Sequence, residues 1–145
     1  IRHGTVSLLA GIDLLTGKVQ SIVCESHKSS DFIDFLKLLD KTYPKGVVIN
    51  VILDNHSAHR SKETMNYLAT QPNRFKFTFT PKHASWLNLI ESFFGKMART
   101  CLRGLRVRSK EELVNHINRW IMQVNAEPVV YRWKWKLEDI ESAFT

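Results

Sequence analysis

Two hydrophobic periods alternate along this chain, and the switches between them mark out most of its elements. Thr5 to Asp13 is mostly apolar and Val19 to Cys24 nearly so. The turn residues Asp13-Leu-Leu-Thr-Gly17-Lys lie between them, which predicts a hairpin of two strands. Ser29 or Ser30 can cap a helix that runs to about Lys41, since Phe32, Phe35, Leu36 and Leu39 fall at i, i+3, i+4 and i+7. Pro44-Lys-Gly46 ends that unit. Val47 to Leu53 is almost continuously apolar and β-branched, the pattern of a central strand buried on both faces. Ser61 begins a short helix that ends near Gln71-Pro72, and Phe75 to Thr80 alternates aromatic and polar residues up to Pro81, a strand pattern.

The rest reads as helix. A long one spans about Trp86 to Arg103 and closes with Gly104 in the C′ position. Its apolar stripe is Trp86, Ile90, Phe93, Phe94, Met97 and Cys101. A last helix starts at Ser109, where Ser109-Lys-Glu-Glu112 is a capping box, and Leu113, Ile117, Trp120, Ile121 and Val124 line one face. The order β-β-α-β-α-β-α-α predicts an α/β layer fold, a mixed sheet flanked by helices. No repeat, low-complexity stretch or linker divides the chain, and 145 residues suit one domain over 1–145.

Composition narrows the class. Hydrophobic residues are 43% and charged ones 24%, ordinary for a globular chain, and no apolar run is long enough to span a bilayer. The first residues carry no secretory signal pattern, and a chain opening on Ile rather than Met reads as a piece of a longer protein. Cys24 and Cys101 are far apart and fit no metal spacing, so free thiols in a cytoplasmic protein are expected. The net charge of +7 suits a polyanionic partner, but also a merely soluble basic protein.

Two carboxylates stand out. Asp54 directly follows the apolar strand, and in open α/β sheets ligand sites lie off the carboxyl ends of strands; a turn-forming role for Asp54 fits the same position. Glu91 interrupts Trp86-Leu-Asn-Leu-Ile-Glu-Ser-Phe-Phe, on the flank of the stripe and in line with Leu87, the small Gly95 and Ala98, and Leu102. An inward-facing Glu there needs a cation or a metal, and a Lys or Arg partner would satisfy it too. Taken together, with 36 residues between them, the pair matches the carboxylate donors that hold Mg²⁺ beside a phosphate.

The flanking residues sharpen this. Leu53-Asp54-Asn55-His56-Ser57-Ala58-His59 and Thr80-Pro81-Lys82-His83-Ala84-Ser85-Trp86-Leu87-Asn88-Leu89-Ile90-Glu91 resemble the second and third catalytic blocks of DDE transposases, specifically insertion-sequence transposases related to the mariner superfamily. The opening hairpin and the segment from Asn125 and Pro128 to Trp133 are similar to that family as well. The resemblance implies an RNase H-like catalytic domain, DNA as partner (element ends and target), action as a homodimer or larger assembly, and Mg²⁺ or Mn²⁺ as cofactor. It implies an Asp-Asp-Glu triad in which Asp54 is the second Asp and Glu91 the Glu. The first Asp is expected on a strand upstream of Ile1, so this fragment alone is expected to be inactive; Asp13, at a hairpin turn, reads as a turn former.

Other groups gain meaning from that frame. Asn55, His56 and His59 shape the loop after Asp54 or touch DNA phosphate; a zinc site from Asp54, His56 and His59 lacks a complete ligand set. Lys82, His83, Ser85 and Asn88 crowd the entry to the Glu91 helix, where phosphate is attracted and where Ser85 also serves as an ordinary cap. Lys96, Arg99, Arg103, Arg106 and Arg108 form a basic run, a solvated face or a phosphate-contacting track. Tyr131-Arg-Trp-Lys-Trp-Lys136 suits base stacking or packing. The implied function is metal-dependent DNA cleavage and strand transfer at insertion-sequence ends. Two alternatives stand beside it: a catalytically inactive DNA-binding or assembly module derived from a transposase, and an RNase H-like nuclease without strand transfer.

Overall fold

The computed structural model describes residues 6–54, 56–80 and 88–128. The predicted hairpin forms from β1 (Ser7–Ile12) and β2 (Val19–Cys24), antiparallel from Ser7 opposite Cys24 to Ile12 opposite Val19. Its turn is built by Asp13: Oδ1 accepts the Leu15 and Thr16 N–H groups at 2.8 and 3.2 Å, and Gly17 takes a positive φ of 77°. Asp13 is thus a turn former, as expected, and its Oδ2 also accepts the Tyr43 hydroxyl at 2.7 Å. Burial and that bond push the Tyr43 phenol pKa up.

Side chains alternate across a strand, so the hairpin has two faces. Leu9 and Ile22 meet the buried Phe32, Phe35, Leu36 and Leu39 of α1 (Ser29–Thr42). Gly11 faces the same way, and a Cβ there would sit 3.2 Å from the Phe35 ring. Leu8, Ala10, Ile12, Val19 and Val23 meet the second half of the chain. The cap of α1 lies one residue earlier than predicted: Lys28 is the N-cap, and the Asp31 carboxylate accepts its N–H at 3.1 Å.

β3 (Ile49–Leu53) pairs in parallel with β4 (Phe75–Phe79), and α2 (Lys62–Ala69) connects them. Ile49, Val51, Leu53, Phe75, Phe77 and Phe79 join the cluster beneath α1, so one helix covers both ladders. The expectation of a strand over Val47–Leu53 buried on both faces is corrected. Val47 and Val48 precede the strand and are 48% and 47% exposed, and Asn50 is exposed on the opposite face from Val51. Among the described residues the strands form two separate two-stranded ladders, one antiparallel and one parallel, rather than one continuous mixed sheet.

Arg74, just before β4, ties this region together from the inside. Its guanidinium is buried and donates to the Asp40 carboxylate at 2.8 Å and to the carbonyls of Asp40, Tyr43, Pro44 and Val47 at 2.7–2.9 Å. One side chain therefore satisfies carbonyls at and just beyond the end of α1, where helix geometry leaves them unpaired.

α3 (Asn88–Met97) continues into a π-helical turn, Ala98–Leu102, and ends at Gly104 with φ 70°, as the C′ position requires. Phe93, Met97 and Cys101 are buried, with Ile90 packed beside them, but Phe94 is 38% exposed. The predicted stripe was too broad by Phe94, which lies one residue, or about 100°, from the buried Phe93 on the helix. The start at Trp86 lies outside the described residues. In α4 (Lys110–Ala126) the Ser109 hydroxyl accepts the Glu112 N–H at 3.1 Å. Glu112 reaches back to the Arg108 N–H at 3.0 Å, one residue beyond the usual reciprocal partner. The predicted stripe packs on the hairpin, with Ile117 and Ile121 buried. Asn125 bonds both backbone groups of Val19, accepting from N–H at 2.7 Å and donating to C=O at 2.8 Å. Cys24 and Cys101 are free thiols. No helix among the described residues is long and apolar enough to cross a membrane.

Candidate active site

Asp54 follows β3 directly, at the carboxyl end of a parallel pair, where the next strand's carboxyl end also lies. Its side chain is 43% exposed. Oδ1 lies 3.3 Å from the His56 N–H, the bond of a local Asx turn, and 3.3 Å from His59 Nδ1. His59 Nδ1 is 3.0 Å from the Asp54 carbonyl. A carbonyl only accepts, so that nitrogen carries the proton and Nε2 keeps the lone pair. The turn role and the functional role therefore coexist at Asp54.

A short 3₁₀ turn, Ser57–His59, buries Ala58 and His59. The Thr64 hydroxyl donates to the Ala58 carbonyl at 2.7 Å, and the Ser61 hydroxyl accepts the Thr64 N–H at 3.2 Å, so the cap of α2 also anchors the loop after Asp54. The His59 ring lies 4.4 Å from that of Phe32, which fixes it against the core. Arg60 lies over the Phe79 ring at 4.1 Å.

His27 joins this loop from the segment between β2 and α1. Its ring stacks on His56, with centroids 4.1 Å apart and planes 8° from parallel, and stands 5.3 Å from His59. Burial lowers the His27 pKa, and the neighbouring His56 and His59 lower it further. Burial also lowers that of His59, against the opposing pull of Asp54. His27 was not singled out from sequence, since it lies far from Asp54 along the chain and only the fold brings it there.

Glu91 lies in the first turn of α3 and is exposed, which corrects the expectation that it faces inward. The contact arc of the helix runs through Ile90, Phe93, Met97 and Cys101, and Glu91 is turned out of it. Asn88, Lys96, Arg99 and Arg103 are exposed as well, so this helix presents a carboxylate and cations to solvent. Lys96 and Arg99 line a small cavity with Ser92, Trp120 and Val124. Asn55, Lys82, His83 and Ser85 lie outside the described residues, as does the Tyr131–Lys136 segment.

Asp54 and Glu91 each offer carboxylate oxygens, the donor type that a hard divalent cation takes. Both carboxylates are accessible, and both offer the oxygen ligands that Mg²⁺ and Mn²⁺ prefer. The imidazoles beside Asp54 are a different kind of donor and do not suit Mg²⁺.

Asp54 thus stands at a strand end and Glu91 on a later helix of an α/β chain. Residues 1–114 match the family model for the DDE superfamily endonuclease, and the chain belongs to that family. It is also 30% identical over 113 residues to the insertion element IS630 uncharacterized 39 kDa protein of Shigella sonnei, over 78% of this chain and 33% of that protein. The chain thus spans about a third of that relative's length. The resemblance to mariner-related insertion-sequence transposases agrees with both findings.

Proposed function

We propose that this chain is a transposase catalytic domain, with residues 1–145 as one unit, and that it acts in phosphoryl transfer on DNA. The observation that carries the reading is Asp54: a half-exposed carboxylate at the carboxyl end of a parallel strand pair, in a chain of the DDE endonuclease family. Asp54 and Glu91 are assigned as metal-holding carboxylates. Asp13 is committed to its turn and to Tyr43, so it is not assigned as the third. The fold that goes with the reading is RNase H-like; the packing of α1 over both ladders supports their belonging to one layer.

Asp54 and Glu91 would hold a divalent ion, which would supply activation of the attacking oxygen and neutralisation of charge on the leaving one. Asp54 is held in place for this by the His56 N–H and by His59, itself seated on Phe32. Lys96, Arg99 and Arg103 bind backbone phosphate and set the DNA's position without reading its sequence. Asn55, Lys82, His83, Ser85 and Asn88 are proposed to contribute to the same DNA contact. Cleavage at an element end is followed by attack of the freed 3′-hydroxyl on target DNA. The active form is proposed to be a homodimer or larger assembly acting on DNA in the cytoplasm.

The test uses the full-length protein, with Mg²⁺ or Mn²⁺ and a labelled duplex bearing an element end. Asp54→Asn and Glu91→Gln should each remove several kcal/mol of transition-state stabilisation, a rate loss of about a thousandfold or more. Full cleavage by either variant overturns the assignment. Joined products distinguish strand transfer from cutting alone.

A further inference from the structure

Three imidazoles from two distant segments converge beside Asp54. One ring nitrogen from each of His27, His56 and His59 lies within 4.8 Å of those of the other two. We infer that these three histidines form a nitrogen-donor site for a zinc-class dication, separate from the oxygen-donor site assigned to Asp54 and Glu91. The inference does not depend on that assignment.

Each ring contributes a separate argument. His59 is oriented as a ligand should be: Nδ1 is occupied by the Asp54 carbonyl at 3.0 Å and lies 3.3 Å from Oδ1, which turns the Nε2 lone pair over to a metal. A carboxylate or carbonyl behind a ligating histidine is the usual outer partner in such sites. His27 Nε2 is buried and has no hydrogen-bond partner among the described residues. Buried polar atoms are nearly always satisfied, so this nitrogen calls for a partner, and a metal ion supplies one. His56 is exposed and stacked on His27, which leaves the cluster open on one side for an ion and a water.

The nitrogen separations are longer than a zinc site needs, but within reach of one. Tetrahedral Zn²⁺ with Zn–N bonds of about 2.0–2.1 Å places its nitrogens about 3.4 Å apart. The cluster must close by roughly 1.5 Å at its widest to reach that spacing. That closure would have to come from the His56 and His27 side chains, since His59 is seated between Phe32 and Asp54. One bond is exchanged in the process. His56 Nδ1 accepts the Ala58 N–H at 3.1 Å, and a neutral imidazole has a single nitrogen lone pair, so ligation by His56 displaces this cap. The metal therefore acts on the 3₁₀ turn that follows Asp54. Three nitrogens with a fourth position open to water or to an outside ligand complete the coordination.

The test is a Co²⁺ titration of the full chain, read by visible d–d absorption, with Zn²⁺ in competition. One equivalent should bind with tetrahedral intensity, Zn²⁺ should displace it, and the Ala58 amide resonance should shift. His27→Ala and His27→Gln should each weaken binding by at least about tenfold, the scale of disturbing a metal's protein partners. Thermal melting without metal shows that these variants fold, and the Zn²⁺-dependent rise in Tm should be lost in them. Glu91→Gln, and His116→Ala on α4, should bind as the unsubstituted chain does. Absence of binding, binding indifferent to His27, or binding lost with Glu91→Gln would overturn the site.

Discussion

The two faces of the β1–β2 hairpin are covered by regions of opposite character. Toward α3 and α4 the buried residues are Val19, Phe93, Met97, Cys101, Ile117 and Ile121, an apolar set tied down at its edge by Asn125. Toward α1 the hairpin shares a cluster with β3 and β4, and the buried polar residues among those described, His59, Thr64, Arg74 and Thr80, all fall in that β3-to-β4 segment. His59, Thr64 and Arg74 are held by directed side-chain bonds, while Thr80 Oγ1 has no partner among the described residues; the first region relies mainly on packing. The candidate chemistry follows the same division. Asp54 and the imidazoles belong to the hydrogen-bonded region, while Glu91 rides on the outer side of a helix whose inner side is apolar.

The comparison breaks most sharply at Arg74. Arg74→Leu leaves the Asp40 carboxylate and four carbonyls without this donor, and should cost about 3–5 kcal/mol, the scale of removing one partner of a buried ion pair. Arg74→Lys keeps the charge but not the planar fork, and should recover only part of the loss. Urea unfolding measures both. In the apolar region the volume-conserving Met97→Leu should cost less than about 1.5 kcal/mol. Equal losses at the two positions would mean that the regions do not differ as described.

Asn125 tests a polar tie between α4 and the hairpin. Asn125→Ala strips the buried Val19 of partners for both N–H and C=O. The expected loss is about 1–3 kcal/mol, read as a lowered urea midpoint at unchanged slope. A neutral effect would show that these two bonds do not hold α4 on the hairpin.

How far the sequence predicted these regions follows from the same contrast. Apolar packing is periodic, so the stripes of α1 and α4 were legible, as were the Ser109 cap and Gly104, and the apolar run before Asp54 gave its place at a strand end. Directed bonds are not periodic. Arg74 reaches Asp40 across 34 positions, and His27 meets His56 from another loop, so no local pattern announces either. Asn50 and Phe94 were misjudged for a related reason: a run of apolar residues shows that burial is available, but only the fold decides which faces receive it.

The smallest expected effect is the most local. Thr64 is fully buried, and its hydroxyl donates to the Ala58 carbonyl at 2.7 Å. Thr64→Val keeps the shape and removes that bond, although the Ser61 hydroxyl still reaches the same carbonyl at 3.4 Å. The cost to global stability should be about 1 kcal/mol. The larger consequence falls on the turn after Asp54, where the His59 N–H is bonded to the His56 carbonyl at 3.0 Å and the Arg60 N–H to the Ser57 carbonyl at 3.2 Å. With its anchor weakened, that turn should open locally, so the His59 and Arg60 amides should exchange with solvent faster while those of α4 keep their protection. If α4 loosens in step, the turn and the apolar region unfold as one unit, and the two faces of the hairpin differ in composition but not in cooperativity.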